Sequence, residues 1–577
     1  MKFFALCCLL AIAALAQNLP SAPGVPAAKI VPDRNAFTFT NYNLEISIEP
    51  ARAGFTGRGT VTMRNDSASL QRAAALQISS SLNWAGIKVG GKPVEFKSLR
   101  IDSDIDHTGG VNEATFEFPQ AIAPTGSVEV EIAYQGTITQ DIGRLLRVQM
   151  PADVAKASDW DRISETFTAL RGVGHVAWYP VAIEPASLNE RNRVFELLGE
   201  FRGRHSESSM RLTVSVLKAA GAVLPQVLTN GETETQESSS KTETLATKIN
   251  FPRLGMDGPL LVVGDFSPTQ NASGTTFAIN KQDQGIAAYN AGVSKLLPML
   301  KLWLRPPQRK IQVIRNPDAN AVPFESGTVL LTPFLTNEKA IEFQLVHTLT
   351  HAAVYSNRLW IYEGLGHYSQ ARLREVQDGR AGALSFLEQR RTALALDEPE
   401  NEVNDARRSL INTTDEILYR SKSMFVWWML HDMIGDEPIQ KALQAYRPEQ
   451  DKEPSYIERL LEEESHHNLD WFFSDWVYRD KGLPDFRITA VYPRQNLKGG
   501  YLVTVTVENL GNAGAEVPVR LITKEGEIPT RLQVMGKEKA SARINSPLMP
   551  TGAIVNDGSV PESDLSNNRF TIEPAPK

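Results

Sequence analysis

Apolar and polar side chains alternate along much of the first half of this chain. Tyr42 to Ile48 and Gly59 to Met63 follow a period of two, which predicts strands buried on one face. Ala114 to Phe118, Ser127 to Ile132 and Arg211 to Val216 repeat the pattern, and Leu260 to Gly264 reads as a short buried strand. The polar run 231–248 reads as a hairpin tip. After Gly264-Asp265-Phe266 the pattern is mixed to about residue 335, and then helical spacing takes over. Asn337 can cap a helix from Glu338 to about Tyr355. Further helices are expected over Leu359–Val376, over Ser421–Ile434 with Gly435 as its stop, and over Asn468–Tyr478. Alternation returns at Tyr501–Val507 and Val517–Leu521, a spacing suited to a small β-sandwich.

These stretches predict a multidomain α+β protein. The expected division is a β-rich domain over 34–266, a mixed and helical domain over 267–484, and a sandwich over 485–577. A length of 577 residues exceeds what one hydrophobic core serves. With 42% hydrophobic and 22% charged residues, the chain is neither fibrous nor mainly disordered.

The N-terminus reads as a leader. Lys2 precedes the apolar run Phe3–Ala16, which is short for a membrane span and ends in Ala14-Leu15-Ala16. A signal peptide over 1–16 and a Pro/Ala-rich linker over 17–33 are expected, with export to the periplasm or beyond. No later run reaches the length of a transmembrane helix. Cys7 and Cys8 fall within the leader, so the mature chain holds neither disulfides nor thiolate metal sites. Export without disulfides suits a bacterial envelope or secreted protein. Cleavage removes Lys2 and takes the net charge from −7 to −8, which leaves no basic excess for nucleic acid.

The candidate chemistry lies on two helices. His347-Thr348-Leu349-Thr350-His351 places two imidazoles one turn apart on one helix face, as a single zinc ion requires. Such a pair also occurs as plain polar surface. The following segment, Leu359 to Tyr368, carries Glu363 among apolar residues, and a buried carboxylate needs a partner. His347, His351 and Glu363 together make a His-His-Glu metal set with an open fourth position. His367, four residues after Glu363, is expected outside the ligand set at most.

Here the chain resembles the aminopeptidase N family of gluzincin zinc metallopeptidases. Its HEXXH helix is similar to His347–His351, and its third-ligand motif is similar to Tyr362-Glu363-Gly364-Leu365-Gly366-His367-Tyr368, after a connection shorter than the family's usual one. Five further segments resemble family motifs in the same order: Trp178-Tyr179-Pro180 with Glu184-Pro185, Leu228–Gly231, Leu261–Phe266, Val322–Ser326 and Leu469–Val477. The resemblance spans about 35–490. It implies an N-terminal β-saddle, a thermolysin-like catalytic domain and bound Zn2+. It also implies that Glu325 holds the free amino group of a peptide, and that Tyr419, ahead of Lys422, hydrogen-bonds the oxyanion.

One position departs from the family. Thr348 stands where the general-base Glu belongs, and a Thr hydroxyl has no useful pKa for that task. Glu342 precedes His347 by five positions, which does not place it beside a metal. Three readings stay open: a weakened exported aminopeptidase acting on peptide N-termini, a pseudopeptidase that binds peptides or a protein partner, and a structural envelope protein. The tail from Val505 to Ile572 resembles small Ig-like modules of exported bacterial proteins. Asp557, Glu562 and Asp564 lack the spacing of a calcium loop, and His466-His467 beside Glu462-Glu463-Glu464 reads as a solvated face.

Overall fold

The computed structural model describes residues 31–190, 192–217, 225–239, 244–279, 285–397, 408–497 and 499–572. The leader over 1–16, most of the linker over 17–33 and residues 240–243 lie outside the described residues. The rest of the polar run 231–248, expected as a hairpin tip, falls largely in the paired strands Glu232–Ser239 and Thr244–Phe251.

While Ala114–Phe118 and Leu260–Gly264 fall in two separate three-stranded sheets, the alternating segments at Tyr42–Ile48, Gly59–Met63, Ser127–Ile132 and Arg211–Val216 lie in one eight-stranded sheet. Phe37–Glu49 is its axis, antiparallel to Gly54–Asn65 and parallel to Ser209–Leu217. The inward residues Tyr42, Leu44, Ile46 and Ile48 are buried, as their spacing requires. A second sheet orders Gln71–Ser79, Gly110–Ile122 and Phe96–Asp102. The Trp178-Tyr179-Pro180 segment lies in this core. Tyr134 Oη donates to the Trp178 carbonyl at 2.9 Å, and Tyr42 Oη donates to the Pro180 carbonyl at 3.1 Å. A helix over Arg193–His205 interrupts the strands, an element the alternation did not announce.

The mixed stretch resolves into a helix over Ile286–Trp303 and a five-stranded sheet. Pro298 sits inside that helix, a position where proline removes a backbone donor, and the sequence pattern assigned the stretch no element. Phe324–Ser326 is the sheet's edge strand, antiparallel to Val329–Thr332, and it carries Glu325.

The helices follow largely as expected, with corrected ends. The first spans Glu338–Ala353, and the Asn337 side chain accepts the Ala340 N–H at 3.0 Å. The second starts at Leu359 but runs past Val376 to a break at Gly379, where φ is 73°, and resumes to Asp397. The left-handed φ at the break is one that favours glycine. The Ser421–Ile434 segment begins earlier, as a π-helical turn over Ile417–Lys422 that leads into Ser423–Ile434. The Asn468–Tyr478 segment is an α-turn over Asp470–Phe473 followed by a π-turn over Ser474–Tyr478. π-turns hide from a 3.6-residue period because they insert an extra residue.

At the C-terminus a three-stranded sheet opposes a four-stranded one. Their buried side chains join the same hydrophobic cluster as the helices, and Trp476 Nε1 donates to the Gly514 carbonyl at 2.7 Å across the junction. The chain is thus a multidomain α+β protein. Among the described residues no helix is long and apolar enough to cross a membrane.

Candidate metal centre

His347 and His351 lie on one face of the Glu338–Ala353 helix, with ring centroids 4.5 Å apart. Glu325 reaches both from the edge strand. The His347 Nδ1 hydrogen bond to Glu325 Oε2 is 3.0 Å long. His351 Nδ1 lies 3.0 Å from Glu325 Oε1, close enough for an ion pair but off the line of a hydrogen bond. Glu363, on the next helix, places Oε1 3.6 Å from His351 Nε2. His347 Nε2 and both ring nitrogens of His351 are buried without a hydrogen-bond partner.

Among the described residues two groups of ligand atoms at this site are close enough to share an ion, and the expected set of His347, His351 and Glu363 is neither of them. One is Glu325, His347 and His351, and the other is His347, Glu363 and His367; within each set the atoms lie within 4.8 Å of one another. His367 thus stands nearer than its sequence position suggested. Its Nδ1 bonds Gln370 Oε1 at 2.9 Å, and its Nε2 is buried and unpartnered. Burial and the neighbouring His347 push its pKa well below the imidazole range, which keeps the ring neutral and able to bind a metal. Unpartnered imidazole nitrogens beside two carboxylates are a donor set that fits a borderline divalent ion.

The local fold shapes this cluster. A Cβ on Gly366 would stand 2.5 Å from His347 Nε2, so the absence of a side chain there leaves room for the ring. Tyr362 stacks on His351 with centroids 3.8 Å apart. Burial opposes charge on Glu325, but His347 and His351 outweigh it and hold the carboxyl at about 2. Burial likewise opposes charge on His351, but Glu325, with Glu363 and Asp257 behind it, raises its pKa above the usual value. Burial is also overcome at Glu363, whose pKa is lowered by Arg420 first and then by the two histidines.

A cavity of about 490 Å3 opens over the cluster. Glu325, His347, His351, Glu363 and Tyr419 all line it. Tyr419 stands on the π-turn, and burial raises its phenol pKa, so the hydroxyl keeps its proton. Thr348 does not line the cavity; it is fully buried, and its Oγ1 has no partner. Glu342 is turned elsewhere, held by Lys295 Nζ at 2.7 Å and Gln377 Nε2 at 2.7 Å. Sequence reasoning missed Arg420, whose Nε lies 3.4 Å from Glu363 Oε2, and Asp257, which also lines the cavity. Arg420 follows Tyr419 directly, and that adjacency was the available signal.

No family model and no curated protein sequence matches this chain. Solved structures do. A single-site variant of the M1 zinc metallopeptidase from Deinococcus radiodurans is 13% identical, covering 78% of this chain and 96% of its own, with a TM-score of 0.50. Legionella pneumophila aminopeptidase A, in complex with aspartic acid, is 13% identical over 91% of this chain, with a TM-score of 0.57. This chain shares their fold. Its match spans 59% of the Legionella protein's length.

Proposed function

We propose that this chain is an exported, zinc-binding, aminopeptidase-like metallopeptidase acting on peptide N-termini, with activity weakened by Thr348. The reading includes the division into a β-saddle over 34–266, a thermolysin-like domain over 267–484 and an Ig-like sandwich over 485–577. One observation carries it: His347, His351, Glu363 and Tyr419, from three separate segments, line one cleft in a fold shared with a zinc metallopeptidase and an aminopeptidase.

In this reading His347, His351 and Glu363 hold the zinc. Bound zinc supplies Lewis acidity and activates water near neutral pH. Glu325 occupies the Nδ1 side of both imidazoles, which orients the rings and leaves their Nε2 atoms as the nitrogens that would hold the zinc. Its Oε1, without an aligned donor, can still accept from the α-amino group of a peptide. Tyr419, protonated, donates to the carbonyl oxygen as charge develops there. The Thr348 hydroxyl has no useful pKa for carrying the proton to the leaving amine.

Thr348 also supports a second reading, a pseudopeptidase that binds peptides or a protein partner in the same cleft. Turnover of aminoacyl substrates by the purified mature chain, with zinc content verified, separates the two. Chelator-sensitive turnover by the native protein carries the enzyme reading. A native protein that is silent, while Thr348→Glu turns over, carries the pseudopeptidase. A chain that binds no zinc sinks both.

A further inference from the structure

A second group of acidic side chains lies away from the cleft, where the helix Tyr456–Ser465 meets the turn that starts at Asp470. Glu458 and Glu462 are one turn apart on that helix, and Asp470 comes back beside them after the chain reverses at His466, whose φ is 55°. One oxygen from each carboxylate lies within 4.8 Å of the others. The expectation of a fully solvated face over Glu462-Glu463-Glu464 therefore does not hold for Glu462. Its Oε1 accepts the Leu469 N–H at 2.7 Å, which ties the helix to the returning chain.

Charge balance makes the group unusual. Glu458 is only 4% exposed, and its Oε1 has no hydrogen-bond partner, while its Oε2 accepts from the Tyr478 hydroxyl. Among the described residues none of the three carboxylates has a Lys, Arg or His within ion-pairing distance. Arg459 donates to Ser455 Oγ at 2.7 Å and acts on Glu458 only through its charge, from beyond ion-pairing distance. A buried carboxylate without an ion-paired cation is costly, and two further carboxylates beside it add to the cost. Burial pushes the Glu458 carboxyl up and the Tyr478 hydroxyl holds it back, while the charges of Glu462 and Asp470 leave the balance on the raised side.

We propose that Glu458, Glu462 and Asp470 bind a hard divalent cation of the calcium type. Three oxygen-bearing side chains with one exposed edge, at Asp470, suit an ion that takes carboxylates and completes its shell with water. A soft or imidazole-preferring metal has no ligand of its kind in this set. The cation would clamp the helix to the Trp/Phe-rich turn that packs against the sandwich, and so link calcium to the stability of that junction.

Terbium is the probe, because Trp471 and Tyr478 lie next to the site in sequence or contact and can sensitise its emission. The full-length mature protein is titrated with Tb3+ and then with excess Ca2+, beside Asp470→Asn, Glu462→Gln and, as a cleft control, Glu363→Gln. Asp470 is exposed, so its substitution leaves the fold in place. The expected result is saturable emission, displaced by calcium, more than about tenfold lower in Asp470→Asn and Glu462→Gln and retained in Glu363→Gln. Calcium is also expected to raise the melting temperature of the wild type but not of Asp470→Asn. Absence of saturable emission, emission that Asp470→Asn retains, or terbium that calcium cannot displace would each overturn the assignment.

Discussion

Arg420 Nε lies 3.4 Å from Oε2 of Glu363, while the other oxygen of that carboxylate lies 3.6 Å from His351 Nε2. A guanidinium therefore sits on the far side of a carboxylate assigned here to a metal. It keeps Glu363 ionised, and it also opposes a cation on the near side. Arg420→Gln is expected to bind zinc about tenfold more tightly, the weight of one partly screened charge at this range. Competition against a chromophoric chelator measures it. Unchanged or weaker affinity would show that Arg420 orients Glu363 more than it repels the ion.

Gly366→Ala tests the room left for His347. The new Cβ would overlap His347 Nε2 at 2.5 Å, so the ring must shift from its place beside Glu325. Bound zinc is expected to fall well below one per chain. The stability cost should be about 1–3 kcal/mol, the usual range for an overpacked site. Metal analysis and thermal melting read the two effects separately.

Tyr419→Phe removes a proton donor and little else. If the phenol meets the developing oxyanion, kcat should fall about 10²–10³-fold with KM nearly unchanged. The measurement belongs in whichever protein turns over, the native chain or Thr348→Glu. An equal loss in KM alone would place Tyr419 in substrate binding.

Thr348→Glu should raise turnover about 10²–10⁴-fold over the native chain, the range typical of a general base. Thr348 is fully buried, so the variant's zinc content and melting temperature must accompany the rate. A folded, zinc-loaded variant with no gain would mean that position 348 is not where the proton is handled.

Glu562, buried in the sandwich, has its carboxyl pushed up to about 8, chiefly by burial. Its folded pKa lies above the unfolded one, so its contribution is fully present below about pH 4.5 and is lost as pH rises to about 8. The melting temperature of the native chain should fall across that window, and Glu562→Gln should flatten the fall. Parallel slopes for the two proteins would remove Glu562 as the cause. Neither Asp557, which pairs with Arg380 at 3.2 Å, nor exposed Asp564 converges with it on a common ion.

Much of the candidate site was legible because it rests on local spacing. His347 and His351 share a helix face whatever surrounds them, and Asn337 caps that helix through its own side chain. Glu363 stood out as a carboxylate in an apolar segment, and it is indeed packed beside the histidines. The strands at Phe37–Glu49 and Tyr501–Asn509 were visible for the same reason, since a period of two marks a face. Helix ends were less legible where the period fails, at Gly379 and at the π-turns of Tyr419 and Trp476.

The sequence by itself determined which side chains could share a face, and with that the histidine pair, the lone carboxylate after it and the missing base at Thr348. Only the tertiary structure decided that Glu325 bridges both imidazoles, that Arg420 backs Glu363, and that Asp470 returns to Glu458. The physical reason is range. A helix or strand repeats within a few residues, so its faces can be read from spacing. Contacts across 22 positions, from Glu325 to His347, depend on how a sheet edge and a helix are docked by the core between them.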